Sequence, residues 1–133
     1  MTVRTGGCLC GRVRFTVTGA PDRVGLCHCL DCRKHHGAPF YAAAVFAPEQ
    51  LSVTGDVRCY QGRCFCPTCG SSVYATSGGE VEIHLGALDD ADQFEPSYEL
   101  WTRRRETWLR PLPGTRQYAG NRCEPDEDGQ DDA

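Results

Sequence analysis

Seven of the ten cysteines in this sequence lie in three short clusters whose spacing is typical of metal sites. The clusters are Cys8-Leu9-Cys10, Cys27-His28-Cys29-Leu30-Asp31-Cys32 and Cys66-Pro67-Thr68-Cys69. Such short steps let neighbouring sulfurs reach one ion, and zinc takes four ligands, with sulfur at about 2.3 Å. The Cys66–Cys69 turn has the form of a zinc knuckle, and the Cys8/Cys10 pair can complete its tetrahedron. A closed site of this kind is structural, and its binding energy contributes to folding.

The triple of Cys27, Cys29 and Cys32 is one ligand short of a second tetrahedron. Catalytic zinc sites usually have three protein ligands and one open position, where a bound thiol loses its proton and becomes a nucleophile. The sequence leaves the fourth ligand open among water, a substrate thiol and the side chains of His28, His35, His36, Asp31 and Cys64. Closure by Cys64 would make the site structural. Iron–sulfur ligation, buried free thiols and disulfides are the other interpretations of these cysteines.

The elements that must position these clusters are predicted to be strands. Apolar residues alternate with polar ones at Val13–Val17 and Val81–Leu85, as in half-buried strands. Further strand candidates are Phe40–Phe46, Ser72–Ala75, Tyr98–Trp101 and a hairpin formed by Leu51–Val53 and Val57–Tyr60. Helical signals are confined to single turns at Asp31–His36 and Asp89–Phe94. We therefore predict an all-β protein with little helix.

Length and composition indicate one globular domain. The chain has 133 residues, of which 40% are hydrophobic and 24% are charged, and its formal net charge is −4. Six acidic residues lie in residues 124–133, which leaves 12 acidic and 14 basic residues in the body. A body so close to neutrality argues against nucleic acid as a partner. We predict a folded domain over residues 1–123 and a disordered acidic tail over residues 124–133.

The sequence also predicts a cytoplasmic protein with no membrane partner. The N-terminal residues lack the apolar segment of a secretory signal, and the longest apolar run, Phe40–Ala47, is too short to span a bilayer. In a reducing compartment, clustered cysteines are more often metal ligands than disulfides. The remaining Cys59, Cys64 and Cys123 are odd in number, and we expect no complete disulfide set from them.

The clusters and their surroundings resemble the glutathione-dependent formaldehyde-activating family, also called the centromere protein V/formaldehyde-activating domain. The matching segments are Gly7-Cys8-Leu9-Cys10-Gly11, Cys27-His28-Cys29-Leu30-Asp31-Cys32-Arg33-Lys34, Gly37-Ala38-Pro39-Phe40, Arg63-Cys64-Phe65-Cys66-Pro67-Thr68-Cys69-Gly70, Gly86-Ala87-Leu88-Asp89-Asp90 and Glu99-Leu100-Trp101 through Trp108. The resemblance covers about residues 4–112.

This resemblance implies a single zinc-stapled domain of β-tent (Mss4-like) architecture with two zinc ions as cofactors. By position, the implied structural ligands are Cys8, Cys10, Cys66 and Cys69, and the implied catalytic ligands are Cys27, Cys29 and Cys32. The implied activity is that of a carbon–sulfur lyase resembling S-(hydroxymethyl)glutathione synthase. Its partners would be a small-molecule thiol such as glutathione and a small aldehyde such as formaldehyde.

Three residues that follow the triple are candidate substrate contacts. Arg33 and Lys34 can hold an anionic substrate, and His35, or alternatively His36, can act as a general base because histidine titrates near neutrality. If the segment after Trp101 were a strand, Arg103 and Arg105 would share one face and could bind carboxylates.

The alternative function is a non-catalytic, zinc-stabilised binding module, in which Cys64 would close the second site. His84 alternates with Ile83 and Leu85 and is predicted to face solvent.

Overall fold

The structure is a computed structural model that describes residues 1–122. Cys123 and the predicted acidic tail lie outside the described residues. Residues 1–122 form eleven strands, one short α-helix and four 3-10 turns, so the predicted all-β class is confirmed. No helix in these residues is long and apolar enough to cross a membrane.

The elements follow one another closely along the chain. The strands are β1 (Val3–Gly7), β2 (Arg14–Thr18), β3 (Arg23–Cys27), β4 (Tyr41–Phe46), β5 (Leu51–Thr54), β6 (Arg58–Tyr60), β7 (Arg63–Phe65), β8 (Ser72–Ser77), β9 (Glu80–His84), β10 (Tyr98–Leu100) and β11 (Arg116–Gln117). The helix, α1, spans Leu30–His36, and the 3-10 turns are Pro48–Gln50, Leu85–Ala87, Ala91–Gln93 and Thr102–Arg104.

The chain divides into two compact units. Unit 1 consists of residues 1–23 and 43–94, and unit 2 consists of residues 24–42 and the chain from residue 95 onward. The extent of the folded domain, residues 1–123, stays a prediction.

Unit 1 is built from antiparallel strands. One group has the order β1-β2-β5, and the other has the order β4-β9-β8-β7-β6. Val13, Phe15 and Val17 are buried, whereas the residues between them are exposed, as the alternation predicted. The core of this unit therefore follows from the period-2 pattern of its strands.

The predicted hairpin between Leu51–Val53 and Val57–Tyr60 is wrong. β5 pairs with β2, where Val53 lies opposite Phe15 and Leu51 lies opposite Val17. β6 pairs instead with β7. The apolar residues of β5 thus match those of β2, a strand far away in sequence, and this match outweighs the local turn signal.

Unit 2 contains a small parallel sheet of order β11-β10-β3. In the pair of β10 and β3, Tyr98 lies opposite Gly25 and Leu100 lies opposite Cys27. A Cβ atom at Gly25 would lie 2.2 Å from the ring of Tyr98, so this position requires glycine. Cys27 is the last residue of β3, and α1 begins three residues after it.

The predicted strand face of Arg103 and Arg105 is also wrong. Trp101 has a φ of 55°, in the left-handed region, and a 3-10 turn follows it at Thr102–Arg104. Arg103 donates a hydrogen bond to the carbonyl of Ala119, at 2.9 Å. The turn ends the extended backbone, so the two arginines do not form a pair on one strand face.

Candidate metal centres

Unit 1 brings together the four cysteines that were predicted to form a structural site. Cys8 and Cys10 lie in the turn after β1, and Cys66 and Cys69 lie in the turn between β7 and β8. Their sulfur atoms all lie within 4.8 Å of one another. The Sγ atoms of Cys8 and Cys10 are 3.6 Å apart, and those of Cys10 and Cys66 are 3.8 Å apart.

Backbone N–H groups point at these sulfurs, as expected for a knuckle. Thr68 and Cys69 donate to Sγ of Cys66 at 3.4 and 3.5 Å, and Val13 donates to Sγ of Cys8 at 3.2 Å. Hydrogen bonds from Ser71 lower the pKa of the Cys69 thiol to about 5. The contacts of Ser71 thus favour the thiolate of Cys69, which is the form that binds a metal.

Unit 2 brings together the triple. Cys27 is the last residue of β3, Cys29 is the N-cap of α1, and Cys32 lies in the first turn of the helix. Their sulfur atoms also lie within 4.8 Å of one another. The N–H of Cys32 donates to Sγ of Cys29 at 3.3 Å. Hydrogen bonds from Cys27 and then Cys32 lower the pKa of the Cys29 thiol.

Both clusters could hold a metal ion. Sulfurs at about 2.3 Å from a tetrahedral zinc ion are about 3.8 Å apart, and the two sulfur separations measured in unit 1 agree with that value. The donor set of four thiolates suits zinc or iron. In the part of the chain that the structure describes, the cluster of unit 2 has three members and no fourth His, Cys or carboxylate ligand.

Cys64 is not a free thiol in this structure. It forms a disulfide with Cys59, its direct partner in the antiparallel pair of β6 and β7, with a Cα–Cα distance of 4.0 Å. This disulfide uses two of the three leftover cysteines, and the sequence analysis did not predict the pair. The pairing brings these two residues face to face, and it removes Cys64 as a thiolate that could close the triple.

His28 lies between two members of the triple, but its side chain turns to a buried carboxylate. Nε2 of His28 is 2.7 Å from Oε1 of Glu99, and the two side chains are 0% and 1% exposed. Burial by itself raises the pKa of Glu99, but the hydrogen bond from His28 and those from its other donors lower it to about 2. Sequence reasoning missed Glu99 as a site residue, although an acidic residue between apolar Tyr98 and Leu100 was a visible signal.

His84 was predicted to face solvent, and this prediction is wrong because it is 4% exposed. Its Nδ1 atom lies 3.0 Å from Oγ of Ser72, which is on the neighbouring strand β8. A buried polar group is retained when it finds a hydrogen-bond partner, and the alternation pattern alone gave no sign of that partner.

A groove of about 350 Å³ runs along α1 in unit 2. Its apolar walls are Leu30, Ala38, Pro39 and Trp108, and its charged residues are Arg33, Lys34 and Glu106. Residues i, i+3, i+4 and i+7 share one face of a helix, which explains why Leu30, Arg33, Lys34 and Gly37 all line it. The volume lies at the lower end of the range for small-molecule pockets, about 300–1,000 Å³.

The three charged residues of the groove differ in whether they form an ion pair. Arg33 forms an ion pair with Glu106, and both are about one-third exposed. Lys34 is exposed, and it has no ion-pair partner among residues 1–122. Two of the three predicted substrate contacts, Arg33 and Lys34, thus lie together in this groove. His35, the third, is on α1 but does not line it.

The fold and these clusters define an all-β protein with two places that could hold a metal ion. The sequence profile of the glutathione-dependent formaldehyde-activating enzymes matches residues 3–104, and the chain belongs to this family. No curated protein matches the chain significantly.

Among solved structures, the chain is similar to the crystal structure of a Rhodobacter sphaeroides protein from a structural genomics programme. The sequence identity is 24%, and the TM-score is 0.56. The match covers 67% of this chain and 91% of the other chain. At this identity the likeness supports the fold.

Proposed function

We propose that this protein is a zinc-dependent carbon–sulfur lyase that adds glutathione to formaldehyde, or cleaves the adduct. The observation that carries the proposal is the convergence of three cysteine sulfurs at the start of α1, the helix that also contributes residues to a charged groove. Membership of the formaldehyde-activating family supports this assignment. The proposed metal ligands are Cys27, Cys29 and Cys32 for the reactive ion, and Cys8, Cys10, Cys66 and Cys69 for the structural ion.

The triple suits a reactive site because it leaves one position of a tetrahedron for a substrate. A zinc ion held by Cys27, Cys29 and Cys32 would supply a Lewis acid that favours the loss of a thiol proton near neutral pH. The cysteines of the triple orient this position. Cys29 accepts the N–H of Cys32, at 3.3 Å, and so places its sulfur at the end of the helix that carries the groove.

The groove carries the charges that glutathione needs. Glutathione has two carboxylates and one ammonium group, and the groove offers two cations and one carboxylate. Arg33 and Glu106 lie side by side as an ion pair, which matches the adjacent carboxylate and ammonium of the γ-glutamyl end. Lys34 is then available for the second carboxylate, and the ring of Trp108, which is 64% exposed, covers the body of the peptide.

The reaction needs no oxidant or reductant. The thiolate sulfur forms a bond to the aldehyde carbon, and the electron pair of the C=O π bond moves to oxygen. The proton that the thiol released returns to this oxygen, so the product is a hemithioacetal with an S-hydroxymethyl group. The groove residues hold glutathione while its sulfur reacts. The reacting groups are therefore already in position and need not meet in a bimolecular encounter. His35 is the candidate that accepts and returns the proton.

The test is the exchange of ¹³C-formaldehyde with glutathione, followed by NMR with metal-loaded protein. We expect the wild type to accelerate the exchange. Cys29→Ser should lose the acceleration by about 100-fold or more, because a Lewis acid is worth several kcal/mol. No acceleration with glutathione or other thiols, at full metal loading, would leave the non-catalytic binding module as the better interpretation.

A second variant tests the groove. Lys34→Gln should raise the KM for glutathione by about two- to fivefold, since an exposed ion pair is worth about 0.2–1 kcal/mol, and should leave kcat unchanged. Arg58→Gln removes an exposed cation from β6 and is the matched control. Equal kinetics for Lys34→Gln and Arg58→Gln would exclude Lys34 as a substrate contact.

A further inference from the structure

Glu99 is a buried acid of unit 2 whose carboxylate has five hydrogen-bond donors around it. It is 1% exposed, and it accepts hydrogen bonds from His28 Nε2 (2.7 Å), Leu112 N (2.8 Å), Thr115 Oγ1 (3.1 Å), Gln117 Nε2 (3.1 Å) and Arg105 Nη2 (3.3 Å). A buried carboxylate is costly unless its oxygens are paired. So many donors on one side chain mean that its position is closely fixed.

The two oxygens of Glu99 serve different parts of unit 2. Oε2 accepts from Leu112, Thr115 and Gln117, all in the segment that leads into β11 or within that strand. Oε1 accepts from His28 at 2.7 Å and from Arg105 at 3.3 Å. One oxygen therefore holds the β11 region, and the other reaches the loop of the triple.

His28 transmits this position to two cysteines because it lies between them in sequence. Its ring is fully buried, and it packs against Phe40 with ring centroids 5.9 Å apart. An ionised carboxylate only accepts hydrogen bonds, so Nε2 of His28 donates to Glu99. Nδ1 has no hydrogen-bond partner among the described residues. Among the described residues, the hydrogen bonding of the ring therefore goes through Nε2 to Glu99.

The backbone of the same loop is attached to the same strand. The N–H of His28 donates to the carbonyl of Leu100, the residue after Glu99, at 3.0 Å. β10 thus fixes His28 at its backbone and at its ring. A rotation of the peptide that would swing Cys27 or Cys29 away from the other sulfurs would break one of these two bonds.

We propose that Glu99 is a positioning residue for the cysteine triple, which it holds through His28 so that the sulfurs of Cys27 and Cys29 converge before a metal binds. This inference rests on the proposed metal site in unit 2. The competing interpretation is that Glu99 only stabilises unit 2. That interpretation predicts a loss of stability without a selective effect on metal binding.

The test compares metal affinity at the two cysteine clusters of the full chain. Cobalt(II) replaces zinc as the probe, and its sulfur charge-transfer and d–d absorption distinguishes a four-thiolate site from a three-thiolate site. Competition with a chelator gives the affinity of each site, and the cluster of unit 1 is the internal reference. The variants are Glu99→Gln, His28→Phe, the double variant and Thr115→Val.

We expect Glu99→Gln and His28→Phe each to weaken cobalt binding at the triple by about 10–100-fold, as for other residues that orient metal ligands. Affinity at the cluster of unit 1 should not change. The double variant should be no weaker than either single one, because Glu99→Gln weakens and His28→Phe removes the same contact. Thr115→Val removes a donor to Oε2 but leaves Oε1 with His28, so it should not change the affinity of the triple.

His28→Phe keeps Glu99 and its other donors in place, so it tests the inference even if Glu99→Gln does not fold. Unchanged affinity at the triple in His28→Phe, or an equal loss at both clusters, would overturn the positioning role alone. A wild-type chain that binds cobalt only at the cluster of unit 1 would overturn the proposed metal site as well.

Discussion

Asp89 links two parts of unit 1 through its carboxylate. Arg14 donates to Oδ1 at 3.0 Å, and the hydroxyl of Thr5 donates to Oδ2 at 2.6 Å. The hydrogen bond from Arg14, followed by that from Thr5, lowers the pKa of Asp89 to about 2 from its usual 3.8. A carboxylate with a lowered pKa stabilises the fold above its unfolded pKa and loses this contribution as pH falls through its folded pKa.

We therefore expect the stability difference between the wild type and Asp89→Asn to be constant above about pH 5 and to shrink as pH falls from about 4 towards 2. Urea denaturation at a series of pH values measures it. Protonation of the metal-binding cysteines affects both proteins and cancels in the difference. Asp56→Asn, at an exposed position between β5 and β6, is the control. A difference that stays constant down to pH 2 would contradict the lowered pKa.

At the scale of single residues, the sequence best predicted the contacts between residues that are close together in the chain. Neighbouring cysteines are two or three positions apart within the Cys8/Cys10 pair, the Cys66/Cys69 pair and the triple, so the chain itself brings those sulfurs close and these short groups could be predicted. Glu99 is 71 positions from His28. That contact depends on the pairing of β10 with β3, and no local pattern specifies which strands pair. The Cys59–Cys64 disulfide was also not predicted, because it depends on the register of β6 and β7.

The parallel pair of β3 and β10 depends on a glycine. Gly25 lies beneath the ring of Tyr98, and a methyl group there would lie 2.2 Å from a ring carbon. Gly25→Ala should lower the free energy of unfolding by about 1–3 kcal/mol, because overpacking a tight contact forces side chains or backbone to move. The urea midpoint, compared with the wild type, measures this loss.

Gly86→Ala is the matched control, since a Cβ atom there would meet nothing within 4 Å. We expect its stability to stay within about 0.5 kcal/mol of the wild type. If both alanine variants behaved alike, the close contact of Gly25 with Tyr98 would not determine the stability of this strand pair.

Among the elements, strands were easier to predict than their partners. Buried residues alternate in β2 and β9, and this period identifies a strand wherever it occurs. The wrongly predicted hairpin shows the limit of this pattern. A Gly-containing turn can connect two strands that pair with each other, and it can equally connect two strands that pair with different partners. The segment after Trp101 failed for a different reason. A left-handed backbone at a tryptophan has no signal in the sequence.

For the whole molecule, the two clusters are expected to differ in what they contribute. The cluster of unit 1 joins residues that are 56 positions apart in the chain, so a metal there closes a long loop and its binding energy adds to folding. We expect the wild type to bind two metal ions. Cys66→Ser should lose one ion and lower the denaturation midpoint substantially.

Cys29→Ser should also lose one ion but keep most of the stability, because its cluster spans only a short stretch of chain. Metal analysis by mass spectrometry and urea denaturation on the same samples test both variants. Equal destabilisation by Cys66→Ser and Cys29→Ser would contradict the division into a structural and a reactive site.

Cys29 is both a proposed metal ligand and the N-cap of α1, and this double use has a consequence for ligand binding. α1 has seven residues, too few for a helix that is stable by itself, yet it presents Arg33 and Lys34 to the groove. A metal ion on Cys29 would hold the first turn in place. Under the proposed function, metal loading and thiol affinity then depend on each other, and linkage requires that each raises the other by the same factor. Scarcity of metal would weaken the hold on glutathione before any aldehyde arrives, and abundant glutathione would slow the loss of metal.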